Sequence, residues 1–235
     1  MMQKVVGVLG GMGPESTADL LAKIVRSTPV TREQDHLRVI VDCNPKVPNR
    51  TQALLSGDTA PVIRALTETA RNLERAGAEL IGMPCNTAHA FLAEVRESVR
   101  VPVLDMIDEA AGRARQVFGA GAVIGLLATD GTHRAGIYHE ALGRHGLVPA
   151  APVAREVQRG VMDALGAVKL SGVSEESGRA LAVAIGDLSE QGATALVAGC
   201  TEVSLVLEKY PPDLPWVDPL QVLAEALVRE AGGHP

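Results

Sequence analysis

Gly77-Ala78-Glu79-Leu80-Ile81-Gly82-Met83-Pro84-Cys85-Asn86-Thr87 has a counterpart later in the chain, Gly192-Ala193-Thr194-Ala195-Leu196-Val197-Ala198-Gly199-Cys200-Thr201-Glu202. In both, a short apolar run reads as a buried strand and ends in a cysteine followed by polar residues suited to a helix start. The two cysteines are 115 residues apart, and other landmarks return at nearly that interval. Val6-Gly7-Val8-Leu9 comes back as Ile124-Gly125-Leu126-Leu127, and Val101-Pro102-Val103-Leu104-Asp105 as Leu214-Pro215-Trp216-Val217-Asp218. A duplicated α/β unit follows, with each thiol beyond the carboxyl end of a strand, where open parallel sheets bind ligands.

Outward from these runs, strands and helices alternate. Lys4-Leu9, Leu37-Asp42, Glu79-Met83 and Val103-Asp105 read as strands of the first half. Helices are expected from Pro14 to about Ser27, from Asp58 to near Gly77, and over Asn86-Val99. Cys43-Asn44-Pro45-Lys46-Val47-Pro48-Asn49-Arg50 holds two prolines and reads as a loop leaving a strand. In the second half, strands fall at Ala122-Leu127, Val148-Ala150, Ala195-Ala198 and Trp216-Val217. An inserted helical pair, Ala154-Lys169 and Ser174-Gln191, puts Lys169 at its junction. The predicted fold is α/β, with two pseudo-symmetric lobes, each a parallel sheet flanked by helices, and an active site in the cleft between them. Residues 1–106 form the first lobe, completed by a C-terminal helix within 218–235, and residues 107–217 form the second.

Bulk properties narrow the function. Of the 235 residues 46% are hydrophobic but only 2% aromatic, so Ala, Val, Leu and Ile must fill the core and stacking platforms for bases are scarce. A net charge of −6 argues against a general nucleic-acid binder, which needs clustered Lys and Arg. No signal segment or membrane-length apolar run is visible, and a cytoplasmic protein is expected. Three cysteines, Cys43, Cys85 and Cys200, do not make a disulfide framework and should stay reduced.

The same residues admit rival chemistries. Gly10-Gly11-Met12-Gly13 lacks the full dinucleotide-binding order, because Ser16 stands where its last glycine belongs. Those glycines fit a turn that brings backbone amides near a carboxylate. Cys85 and His89 have a metal-pair spacing with no second cluster to complete a site, so no metal is expected. A Cys-His hydrolase dyad would leave Cys200 unexplained. One buried cysteine is usually a small hydrophobe, but two at equivalent repeat positions fit an acid/base group for each face of a substrate. Arg50, at the end of a strand-exit loop, and Lys169 could address an acidic group on that substrate.

Taken together, Gly7-Val8-Leu9-Gly10-Gly11-Met12-Gly13-Pro14, Asn44-Pro45 with Pro48-Asn49-Arg50-Thr51, Pro84-Cys85-Asn86-Thr87-Ala88-His89, Lys169 and Gly199-Cys200-Thr201-Glu202 resemble the cofactor-independent aspartate/glutamate racemase family, its aspartate racemases most. The resemblance implies interconversion of L- and D-aspartate, with glutamate as a further candidate, by a two-base mechanism without a cofactor. It makes Cys85 and Cys200 the acid/base thiols and places Met12, Asn86, Thr87 and Thr201 around the α-carboxylate and amine. Arg50 and Lys169 would meet the side-chain carboxylate, and Asn44 would help shape the pocket. Asn49 departs from the acid that relatives often carry before the arginine. A small acidic amino acid is the implied partner and a homodimer the implied assembly. On the same scaffold, a cis-trans isomerase of an unsaturated diacid and a turnover-free small-ligand sensor are the alternatives.

Overall fold

The computed structural model describes residues 3–232, which divide into two compact units. One comprises the chain up to Met106 together with the segment from Leu220 onward, and the other is Ile107–Pro219. Residues 1–2 and 233–235, the outer ends of the expected first lobe, lie outside the described residues.

The first unit begins β1 (Val6–Gly10), α1 (Pro14–Ser27), β2 (Val39–Cys43), α2 (Arg50–Ser56), α3 (Ala60–Arg75) and β3 (Leu80–Gly82). A 3-10 turn (Thr87–Phe91) and α4 (Leu92–Ser98) follow. α5 (Met106–Phe118) leads into the second unit, with β4 (Val123–Ala128), α6 (Asp130–Ala135), α7 (Ile137–Arg144), β5 (Val148–Ala150), α8 (Arg155–Ser171), α9 (Glu175–Glu190), β6 (Ala195–Gly199), α10 (Thr201–Lys209) and β7 (Trp216–Val217). The last helix, α11 (Pro219–Glu230), packs in the first unit: Gln221 Nε2 donates to Ser27 Oγ at 3.0 Å, and the Lys4 N–H donates to the Ala231 carbonyl at 2.9 Å.

Both sheets are parallel, with strand order β2-β1-β3 in one unit and β5-β4-β6-β7 in the other. Each therefore sets its first strand between its second and third, as a duplication requires. β1 and β6 are apolar and buried throughout, as parallel strands covered on both faces must be. Leu66, Ala70 and Leu73 of α3 pack with Leu9 and Ile81 in one core; Leu165, Leu181 and Leu188 pack with Leu127 and Leu196 in the other. Burying a leucine of this kind is worth about 1.5–3 kcal/mol. Among the described residues no helix is long and apolar enough to cross a membrane.

The structure revises several local readings. Val103–Asp105 is reduced to a single bridge, Ile81 to Val103. The expected helix Asn86–Val99 is split, because the chain first makes the 3-10 turn and becomes α-helical only at Leu92. α2 was hidden behind the prolines. Asn49 starts it, its side-chain oxygen accepting the Gln52 N–H at 3.0 Å, a capping task that asparagine and aspartate share. The unusual residue before Arg50 thus fixes where Arg50 sits. α8 runs through Ser171 and stops at Gly172, whose φ of 79° suits glycine, so Lys169 lies in its last turn and not at a junction.

Candidate active site

In the first unit the loops at the carboxyl ends of the strands gather most of the expected binding residues. Gly11, at φ 94°, lies so close to Asn44 that a Cβ would meet that residue's backbone. Its N–H donates to Thr17 Oγ1 at 2.8 Å, and the Thr17 hydroxyl donates to the Gly13 carbonyl at 3.0 Å. The Gly11 amide is thus committed to α1 instead of facing a ligand. Asn44 is held three ways: its N–H donates to the Gly10 carbonyl, its Nδ2 to Thr69 Oγ1, and its Oδ1 accepts the Lys46 N–H.

Arg50 clasps the same loops. Nη1 donates to the carbonyls of Val47 and Pro48, and Nη2 donates to the Met12 carbonyl at 3.3 Å, tying Arg50 to the loop after β1. Its Nε is buried and, among the described residues, has no hydrogen-bond partner. A guanidinium anchored this way, with one buried donor unsatisfied, is preorganised for an anion, because leaving that donor unpaired is costly.

Beyond β3, Cys85 is buried at 6% exposure, followed by the buried Asn86 and Thr87. His89 does not address its sulfur. Nε2 accepts the Met106 N–H at 3.2 Å, so the ring proton is on Nδ1, which donates to the Cys85 carbonyl at 2.8 Å. Burial holds the imidazole below its ordinary range, opposed by the charge of Asp105. A neutral histidine with both nitrogens engaged holds the cysteine's backbone and cannot serve a hydrolase dyad as its base.

In the second unit Cys200 is likewise buried at 6% exposure and stands at the N-cap of α10, with Thr201 next. Its thiol donates to Glu202 Oε2 at 2.8 Å. That oxygen is also 3.3 Å from Thr201 Oγ1 and 3.7 Å from Lys169 Nζ. Burial raises the Cys200 thiol well above its ordinary value and the Glu202 charge adds to this, while the Lys169 ammonium works the other way. Glu202 is the residue that sequence reasoning missed. Its signal was the repeat itself, which puts an acid where the first copy has Thr87. Lys169, expected to meet a substrate carboxylate, has Glu202 as an ion-pair partner.

His133, on α6 after β4, gives the second unit a pH-sensitive element. Among the described residues neither ring nitrogen has a hydrogen-bond partner, and burial, with the neighbouring His139 adding, pushes its pKa down to about 4. The unfolded chain takes up this proton near pH 6.5, so stability is full above that pH and is lost as pH falls toward 4, by about 3 kcal/mol in all. Urea titrations at pH 7 and 4.5 should show most of that loss, and His133→Gln should flatten much of it. Equal midpoints for the wild type at the two pH values would contradict the assignment.

A cavity of ≈ 770 Å³ also opens in the second unit, lined chiefly by α9 and the Tyr210–Leu214 segment, but neither cysteine lines it. Among the described residues no three His, Cys, Asp or Glu side chains are grouped to hold a metal ion.

Comparison with known proteins follows the same frame. The family described as Asp/Glu/hydantoin racemase matches residues 9–227. The broad specificity amino-acid racemase RacX of Bacillus subtilis is 25% identical over 95% of this chain and 96% of its own. Among solved structures, the aspartate racemase of Picrophilus torridus superposes with a TM-score of 0.84 at 30% identity, over 98% of this chain and 95% of that one. An aspartate racemase homologue from Pyrococcus horikoshii shares the fold, with a TM-score of 0.73 at 24% identity over 98% and 99% of the two chains. A family match that spans both repeats and both cysteines settles the kinship: the chain belongs to the Asp/Glu/hydantoin racemase family.

Proposed function

We propose that the protein interconverts the L and D forms of a small acidic amino acid, aspartate foremost, without a cofactor, using Cys85 and Cys200 as its two acid/base groups. The observation that carries the reading is the pair of buried thiols at corresponding ends of β3 and β6 in a racemase-family chain. One thiol, as thiolate, removes the α-hydrogen and leaves the electron pair on the α-carbon; the other delivers a proton to the opposite face. A thiol is a far stronger acid than that C–H bond, so positioning and hydrogen bonds to the carboxylate of the developing carbanion must supply most of the barrier reduction. Asn86, Thr87 and Thr201 adjoin the cysteines in sequence and, with Met12, fit the α-carboxylate and amine; Asn44 shapes the loop that Arg50 clasps. Arg50 receives the distal carboxylate through its unsatisfied Nε. The family resemblance supports a cytoplasmic homodimer as the working form.

A broader substrate range is the second reading, and one observation favours it. Because Lys169 pairs with Glu202, Arg50 becomes the chief cation for a distal acid, and the match to a broad-specificity racemase is in keeping with that. α-Deuteration of aspartate, glutamate and neutral amino acids in heavy water, followed by NMR, tests both. Either aspartate enantiomer should incorporate deuterium first in the inverted product. Arg50→Ala should raise KM for aspartate about 10–100-fold, as for one lost charge-assisted hydrogen bond, with little change for alanine. No exchange with any amino acid would sink the proposal and leave a ligand sensor or diacid isomerase in its place.

A further inference from the structure

After one turnover of a two-thiol racemase, the base has become a thiol and the acid a thiolate. Both must be reset before the same enantiomer can be processed again, and the reset takes place with no substrate bound. The repeat makes the two cysteines equivalent, but their surroundings differ. Two residues after Cys85 stands Thr87, and two after Cys200 stands Glu202. Glu202 has its side chain 6% exposed and touches the Cys200 sulfur, while the Lys169 side chain, 3.7 Å from the same carboxylate oxygen, is 39% exposed. Ammonium, carboxylate and thiol therefore form a graded series from solvent to the buried sulfur.

Resting on the two-thiol reading, we infer that Glu202 and Lys169 are positioning residues that return the proton to Cys200 between turnovers. The Glu202 carboxyl O–H bond breaks as the Cys200 S–H bond forms, which leaves a carboxylate and a thiol. Lys169 protonates that carboxylate ahead of the next transfer and takes a proton from hydronium in turn. Overall, thiolate and hydronium become thiol and water, with no change of oxidation state. In the resting enzyme the thiol donates to Glu202, so Cys200 begins as the acid. Thr87 has no carboxylate to offer Cys85, so the two half-sites are reset by different routes.

The test uses the full-length protein, with Glu202→Gln, Glu202→Asp and Lys169→Gln. Single-turnover deuterium incorporation measures the chemical step, and steady-state racemisation of one enantiomer includes the reset. In Glu202→Gln kcat should fall about 10-fold or more beyond any change in the first turnover, and Glu202→Asp should restore most of that difference. Alkylation of Cys200 by iodoacetamide, resolved by mass spectrometry without substrate, should shift to lower pH in Glu202→Gln, because a neighbouring negative charge is gone. Lys169→Gln should slow the steady state in the same direction. Unchanged kcat and alkylation in an active Glu202→Gln protein would overturn the inference alone. So would equal loss of first and later turnovers with unchanged alkylation, which marks a merely structural role. A wild type without any exchange would sink the parent reading, and this one with it.

Discussion

Cys85→Ser and Cys200→Ser should each abolish racemisation, lowering turnover by at least about 10³-fold, within the range general acid/base groups contribute. A serine hydroxyl is close in shape but far weaker as an acid than a thiol, whose ordinary pKa is about 8.5, so each variant should keep the fold and, on the two-thiol proposal, lose one proton carrier. The two losses should be distinguishable. With one thiol left, an enantiomer that presents its α-hydrogen to that thiol can still exchange it slowly without inverting. Cys85→Ser and Cys200→Ser should then leave residual exchange in opposite enantiomers, which assigns each sulfur to its face. Cys43, exposed at the end of β2, is the control, and Cys43→Ser should keep wild-type rates. Wild-type turnover in either active-site variant would refute the two-base assignment.

Gly11→Ala is expected to give the largest loss of stability among single-methyl changes in the first unit. The backbone there is in the left-handed region, which costs an L-residue about 1–2 kcal/mol, and the new Cβ would overlap the Asn44 backbone. Together these should cost at least about 3 kcal/mol and lower Tm by about 6–12 °C for a chain of this size. Relief of the overlap must push Asn44 outward, and with it the loop that Arg50 and Met12 share, so KM should rise as well. Gly57→Ala makes a fair comparison, since its φ is also positive at 83° but open space surrounds it. A melting temperature for Gly11→Ala equal to that of Gly57→Ala would show that the close approach carries no weight.

The parts of this molecule that were legible in its sequence are those set by short-range pattern. The apolar runs before Cys85 and Cys200 could only be buried strands, and their repetition carried the fold and both thiols with it. What stayed hidden depends on contacts between segments distant in the chain. Nothing near Arg50 in sequence shows that it reaches back to the Met12 carbonyl. Pro45 and Pro48 marked a loop correctly but masked the helix that Asn49 caps immediately after it. Lys169 was displaced by reading Leu170-Ser171 as a break, when only Gly172 has the backbone freedom to end α8. Glu202 reads in one dimension as a second polar residue at a helix start; only folding shows its carboxylate turned back onto the preceding sulfur. His89 has the spacing of a dyad or metal partner, which the unexplained second cysteine already argued against, and its ring is engaged by the Cys85 carbonyl and the Met106 N–H.

The return of α11 to the first unit has a bearing on how the chain is assembled. Gly82 leaves room for Leu227 against β3, so close that a Cβ there would overlap its side chain. Part of the wall around the first sheet is therefore translated only after the whole of Ile107–Pro219. As the polypeptide emerges from the ribosome, the contiguous second unit holds all of its own strands and can close its interior early. The first must wait with β3 uncovered on that side, so of these two units the one begun earlier is completed later.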